Sequence, residues 1–103
     1  MNIVTTSAEQ PTNAPVFANV WDALADTPEA AANLRLRSEL MRQINALIES
    51  QGLNQTQAAQ QCGITQPRMN DLLRGRISRF SLDALVNIAT AAGRVVHMEL
   101  EAA

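Results

Sequence analysis

A chain of 103 residues suffices for one small domain, and 47% apolar against only 3% aromatic residues predicts a core of Ala, Leu, Ile, Val and Met, which suits closely packed helices. One cysteine excludes an internal disulfide, no Cys/His set is present to hold a structural zinc, and no apolar run approaches the roughly 20 residues of a membrane span. The net charge of −2 argues against a uniformly basic nucleic-acid-binding surface. With one thiol and no secretory-signal pattern, a cytoplasmic location is expected.

Residues 1–26 read as a flexible N-terminal tail: Met1 to Pro15 carries two prolines and shows no period. Within it, residues 16–24 differ. Phe17, Val20, Trp21 and Leu24 fall at i, i+3, i+4 and i+7, a short amphipathic helical pattern that includes the only tryptophan. Such a segment either packs on the domain's own surface or folds onto a protein partner, because Trp and Phe are favoured anchors in grooves.

The domain proper is expected over 27–103. Thr27-Pro28-Glu29 is a helix start, with an N-cap hydroxyl, proline at the first helical position and an acid in the first turn. The helix is predicted to run to Ser50 or Gln51, with Gly52 as its cap. Leu36, Leu40, Ile44, Leu47 and Ile48 form its apolar stripe, widened by Leu34 and Met41.

Asn54, with Gln57 three residues on, forms a capping box for a second helix. Ala58 and Cys62 face inward, Ala59 permits close helix approach, and Gly63 supplies a left-handed turn. Thr65 caps a third helix that opens with Gln66 and Pro67. Met69, Leu72 and Leu73 are expected to bury it and Gly75 to end it, leaving Gln66, Arg68, Asn70 and Arg74 outward. Beyond it, Phe80 is a core candidate, Ser81 caps a fourth helix over 82–92, and Gly93 stops that helix. Arg94 to Leu100 alternates, with Val96, Met98 and Leu100 on one side and Val95, His97 and Glu99 on the other, which predicts a C-terminal β-strand.

Two short helices meeting at a glycine, with amide and guanidinium side chains on the second, are what a helix-turn-helix requires. The charge distribution agrees. Residues 1–34 carry four acids and no base, whereas residues 53–80 carry Arg68, Arg74, Arg76 and Arg79 against Asp71 alone. The positive charge therefore collects on and after the second motif helix, and every basic residue is arginine, suited to planar bidentate contacts.

The stretch from Leu53 to Gly75 resembles the helix-turn-helix of Xre and Cro/cI-type regulators. Ala58, Cys62, Ile64, Met69 and Leu72 occupy its apolar positions, and Ala59 and Gly63 its small and turn positions. The wider pattern, NLRLRSELM, then GLNQTQAAQQCGITQPRMNDLLRGR, then FSLDALVNI, is similar to HigA-type antitoxins. The resemblance implies a mainly α, five-helix lambda-repressor-like domain, here joined to the C-terminal strand and flexible tail read above. It implies that Gln66 reaches a base edge, that Gln55 meets phosphate and braces Gln66, and that Arg68 reaches deepest, to a guanine. It further implies base or phosphate contacts for Asn70, backbone contacts for Arg74, Arg76 and Arg79, a DNA contact for Gln57, and a phosphate contact for the Thr65 hydroxyl or the amides of its helix N-terminus. Pro67 departs from the small polar residue usual beside Gln66, so contact there should be apolar or absent.

The implied function is a non-enzymatic antitoxin that binds double-stranded operator DNA as a homodimer, autorepresses its operon and neutralises a RelE/HigB-like toxin. The partner would be captured through Phe17, Val20, Trp21 and Leu24. No cofactor, metal or membrane is expected. Two alternatives stand beside it: a phage-type or metabolic repressor without a toxin, and an interaction module that has lost DNA binding, for which the acidic balance speaks. Catalysis has little support, because Cys62 falls at an inward position and His97 lies 35 residues away in the strand pattern.

Overall fold

The computed structural model describes residues 26–103. Phe17, Val20, Trp21 and Leu24, and with them the expected tail, lie outside the described residues. The described chain forms helix α1 (Pro28–Ser50), α2 (Gln55–Cys62), α3 (Gln66–Leu73), a single 3₁₀ turn (Ile77–Arg79) and α4 (Leu82–Ala91).

The chain divides into two compact units, Met1–Arg35 and Leu36–Ala103. The described part of the first is the start of α1. There the Thr27 hydroxyl accepts the Ala30 amide at 3.0 Å, as its position before Pro28 predicts.

The second unit carries the core. Met41, Ile44 and Ile48 of α1 are buried, as are Ala58, Ala59 and Cys62 of α2, Met69 and Leu72 of α3, Ile77 and Phe80 of the turn, and Leu85, Ile88 and Ala89 of α4. Helix α2 packs against both α3 and α4. Its Ala58 and Ala59, almost wholly buried, let two neighbours approach one short helix.

Local chemistry sets the boundaries of these helices. The Asn54 side chain accepts the Gln57 amide at 2.8 Å while Gln57 Oε1 accepts the Asn54 amide at 3.0 Å, which completes the capping box. Gly63, at φ 69°, closes α2, and the Ile64 amide donates back to the Ala59 carbonyl at 3.0 Å. A Cβ there would meet only Ala91 Cβ at 3.7 Å, so the backbone conformation, not space, demands glycine. The hydroxyls of Thr65 and Ser81 accept the amides of Arg68 and Ala84 and start α3 and α4.

Three expectations require correction. Four α-helices and one 3₁₀ turn stand among the described residues, not five helices: between α3 and α4 only Ile77–Arg79 turns, and the non-helical backbones of Arg76 and Phe80 bound it on both sides. The C-terminal β-strand is also absent among the described residues, since Arg94–Leu100 forms no ladder. Alternation of side chains is only half of what a strand requires; its N–H and C=O groups must meet another strand, and the described residues offer none. Val95 (93% exposed), Met98 and Leu100 accordingly stand in solvent. Nor do Leu36 and Leu73 bury as expected; both are exposed.

Candidate nucleic-acid interface

The outward face of α3 follows from its buried one. With Met69 and Leu72 wholly buried, the helical repeat turns Gln66, Asn70, Leu73 and Arg74 to the other side, where Gln66, Leu73 and Arg74 are exposed and Asn70 is half-buried. Pro67 is exposed in the first turn of the helix, where its missing N–H costs nothing. The result is one surface strip that offers amide donors and acceptors at one end, an apolar side chain, and a cation at the other end. It contains the hydrogen-bonding inventory that major-groove base edges match.

Gln55, at the start of α2, donates its Nε2 to the Gln66 carbonyl at 3.1 Å and so braces the entry to α3 from the neighbouring helix. Gln57 is committed to the capping box and the Thr65 hydroxyl to the Arg68 amide, so both side chains expected to contact DNA serve here as helix caps. At the far end of α3, Asn45 of α1 donates to the Leu72 carbonyl at 3.0 Å. Helix α3 is therefore held at both ends by amide side chains from other helices.

Arg68 does not extend from this strip. Its guanidinium donates to the Arg79 carbonyl at 2.9 Å and lies 4.2 Å over the Phe80 ring. One helical turn on, Asp71 Oδ1 accepts from Arg76 Nη1 at 3.0 Å and from Arg79 Nη1 at 3.1 Å. Burial opposes ionisation of Asp71, but the Arg79 and Arg76 guanidiniums outweigh it and hold the carboxyl below its ordinary range. Arg37 of α1, only 8% exposed, donates to the carbonyls of Ile77 and Phe80 at 3.2 and 3.3 Å. Three carbonyls of the 76–80 turn thus point at two arginines, while the turn's own arginines share one carboxylate.

The structure therefore brings Gln55, Gln66, Pro67, Asn70 and Arg74 together along one helix and its brace, and sets Arg76 and Arg79 beside them on a fixed turn. Arg68 joins the turn and not the strip. The pattern of the sequence did not reveal the roles of Arg37 and Asp71. The one available signal was that Asp71 is the lone acid among the four arginines of residues 53–80.

Cys62 is buried, and desolvation raises its thiol above the ordinary range, the opposite of what a thiolate nucleophile requires. No helix among the described residues is long and apolar enough to cross a membrane.

A family model described as a helix-turn-helix domain matches residues 23–101. No curated relative matches the chain. The match spans most of the chain, which belongs to the helix-turn-helix domain family, and this membership points to a DNA-binding regulator.

Proposed function

We propose that this helix-turn-helix protein is a cytoplasmic, sequence-specific regulator that reads operator DNA with α3. The observation that carries the reading is the α3 strip of Gln66, Asn70 and Arg74, braced by Gln55 at 3.1 Å and flanked by the arginine turn. In this reading Gln66 and Asn70 bond to base edges, Pro67 and Leu73 lie against thymine methyls or sugars, and Arg74, Arg76 and Arg79 bind phosphates. Gln57 and Thr65 support the contact by fixing the starts of α2 and α3. A two-fold dimer would place two α3 helices in successive major grooves, about 34–36 Å apart.

At the finer level the protein acts as an antitoxin that represses its own operon and neutralises a small RelE/HigB-like ribonuclease. The support is the similarity of residues 30–100 to HigA-type antitoxins and the Phe17, Val20, Trp21 and Leu24 pattern, which a protein partner's groove would accept. The test is co-expression with the adjacent gene product, combined with a gel shift on the gene's own upstream DNA. Relief of growth arrest and a specific shift are expected. A shift without relief would leave a repressor that has no toxin, and no shift on upstream over scrambled DNA would overturn the DNA reading.

A further inference from the structure

We infer that Arg68 is a positioning residue that presents Arg79 to the DNA backbone, and not a base-reading residue, an inference that rests on the DNA-binding reading above. Two bonds of different kinds fix the Arg68 guanidinium: a 2.9 Å hydrogen bond to the Arg79 carbonyl and a stack 4.2 Å over the Phe80 ring. Phe80 is 1% exposed, so the guanidinium lies on an anchored ring and not on a mobile surface group. The same residue whose carbonyl Arg68 holds has its own guanidinium tied to Asp71, three residues beyond Arg68 on α3.

The edge of α3 formed by Arg68 and Asp71 thus grips Arg79 twice, once by its backbone and once by its side chain. Arg37 grips the same turn from beneath through the Ile77 and Phe80 carbonyls. A base-reading role would require Arg68 to leave both partners and uncover the Phe80 face before contact. A positioning role needs no rearrangement of Arg68 itself. It sets the turn's cation in advance of binding, so that the ordering cost is met on folding and not on association. Phosphate is a strong acceptor and competes with Asp71 for the exposed Arg79 guanidinium, which lets the cation transfer without moving the backbone that Arg68 holds.

The test measures affinity of the full-length protein for its upstream DNA across a salt series, with each base pair of the site varied in turn. Arg79→Ala should lower the slope of log affinity against log salt by about one phosphate contact. Arg68→Ala should do the same while leaving the base-pair preference profile unchanged, and the double variant should show the slope of Arg79→Ala alone. Slopes that add in the double variant would mean that Arg68 binds its own phosphate. A preference lost at one base pair would mean that it reads a base. Either result overturns the inference and leaves the DNA reading intact. If Arg68→Ala fails to fold, Arg68→Lys decides: an ammonium keeps the charge but not the planar stack, and it should again match Arg79→Ala in slope with the profile preserved. Wild-type protein that does not distinguish upstream from scrambled DNA would instead remove the DNA reading itself.

Discussion

The turn between α3 and α4 and the segment after α4 are both short, irregular and free of backbone ladders, yet they are held in opposite ways. In the turn, Arg37 and Arg68 cap three carbonyls, Asp71 gathers two guanidiniums, and Ile77 and Phe80 are sunk in the core. After Gly93, the chain from Arg94 onward presents Val95, Met98 and Leu100 to solvent, and its only side-chain pair there is His97 with Glu99 at 3.2 Å, both highly exposed. Irregular backbone becomes a defined surface when side chains from regular elements satisfy its polar groups; alternating hydrophobicity does not do this. A backbone-binding surface needs the first condition, because a phosphate contact sets register only if the cation is already in place.

The strongest way to break the comparison is to release the turn from beneath. Arg37→Met keeps most of the packing volume but removes the side-chain donor of the Phe80 carbonyl and leaves the Ile77 carbonyl with the Phe80 amide alone. Two charge-assisted bonds are removed, partly offset by relief of a buried charge, so a loss of about 2–4 kcal/mol is expected. Urea denaturation measures it. A loss below about 1 kcal/mol would show that the turn is held by Ile77 and Phe80 alone and would reduce its likeness to a clamped element.

This expected effect also marks what the sequence could and could not show. Every helix start that rests on a residue and its near neighbours was legible: Thr27 with Pro28, Asn54 with Gln57, Thr65 with Gln66 and Pro67, and Ser81 each cap as their spacing implies. The outward placement of Gln66 and Arg74 was legible for the same reason, since Met69 and Leu72 fix the inner side of α3, although Leu73, expected inward, is exposed. The roles of Arg37 and Arg68 were not legible. Their partners are carbonyls 40 and 11 residues away, and a backbone carbonyl leaves no mark on the composition. In the sequence Arg37 is one charged residue within an apolar helix pattern, and the resemblance sends Arg68 deepest, to a guanine. The strand expectation for Arg94–Leu100 went astray because side-chain alternation reports a face, whereas a ladder depends on a neighbour that pattern alone cannot supply.

A smaller effect tests the other half of the comparison. In the second unit, Arg94 to Met98 borders an apolar cleft of about 430 Å³ lined also by Leu36, Leu40, Leu47 and Leu82. Of the residues after Gly93, only Val96 is even half-buried. Removing residues 95–103 should therefore change unfolding free energy by less than about 1 kcal/mol, on the scale of one partly buried side chain. Thermal denaturation of the truncated protein checks this. A loss comparable with that of Arg37→Met would place the segment among the structural elements and erase the contrast with the turn.

The smallest expected effect lies in acid, where two carboxylates separate the turn from an ordinary helix surface. Glu39 on α1 is lowered from its usual 4.5 to about 2 by hydrogen bonds from Arg42 and Gln43, and Asp71 is lowered from its usual 3.8 by Arg79 and Arg76 against an opposing desolvation. For both, the folded value lies below the unfolded one. Their stabilisation is therefore complete above the unfolded value and is lost as pH falls through the folded value. Neither contributes a slope between pH 5 and 7; Glu39 does so between about 4.5 and about 2, and Asp71 only below about 3.8. Glu39→Gln and Asp71→Asn should each flatten the acid limb of melting temperature against pH within its own window, and both effects should be small because the arginine partners are solvent-exposed. They should part in a second measurement. Salt should erase the Glu39 effect, an i,i+3 pair with both partners exposed, more fully than the Asp71 effect, whose side chain is only 16% exposed. Equal salt sensitivity would mean that the arginine turn is held by screened surface charge like any helix face, and that its order rests on Arg37 and Arg68 alone.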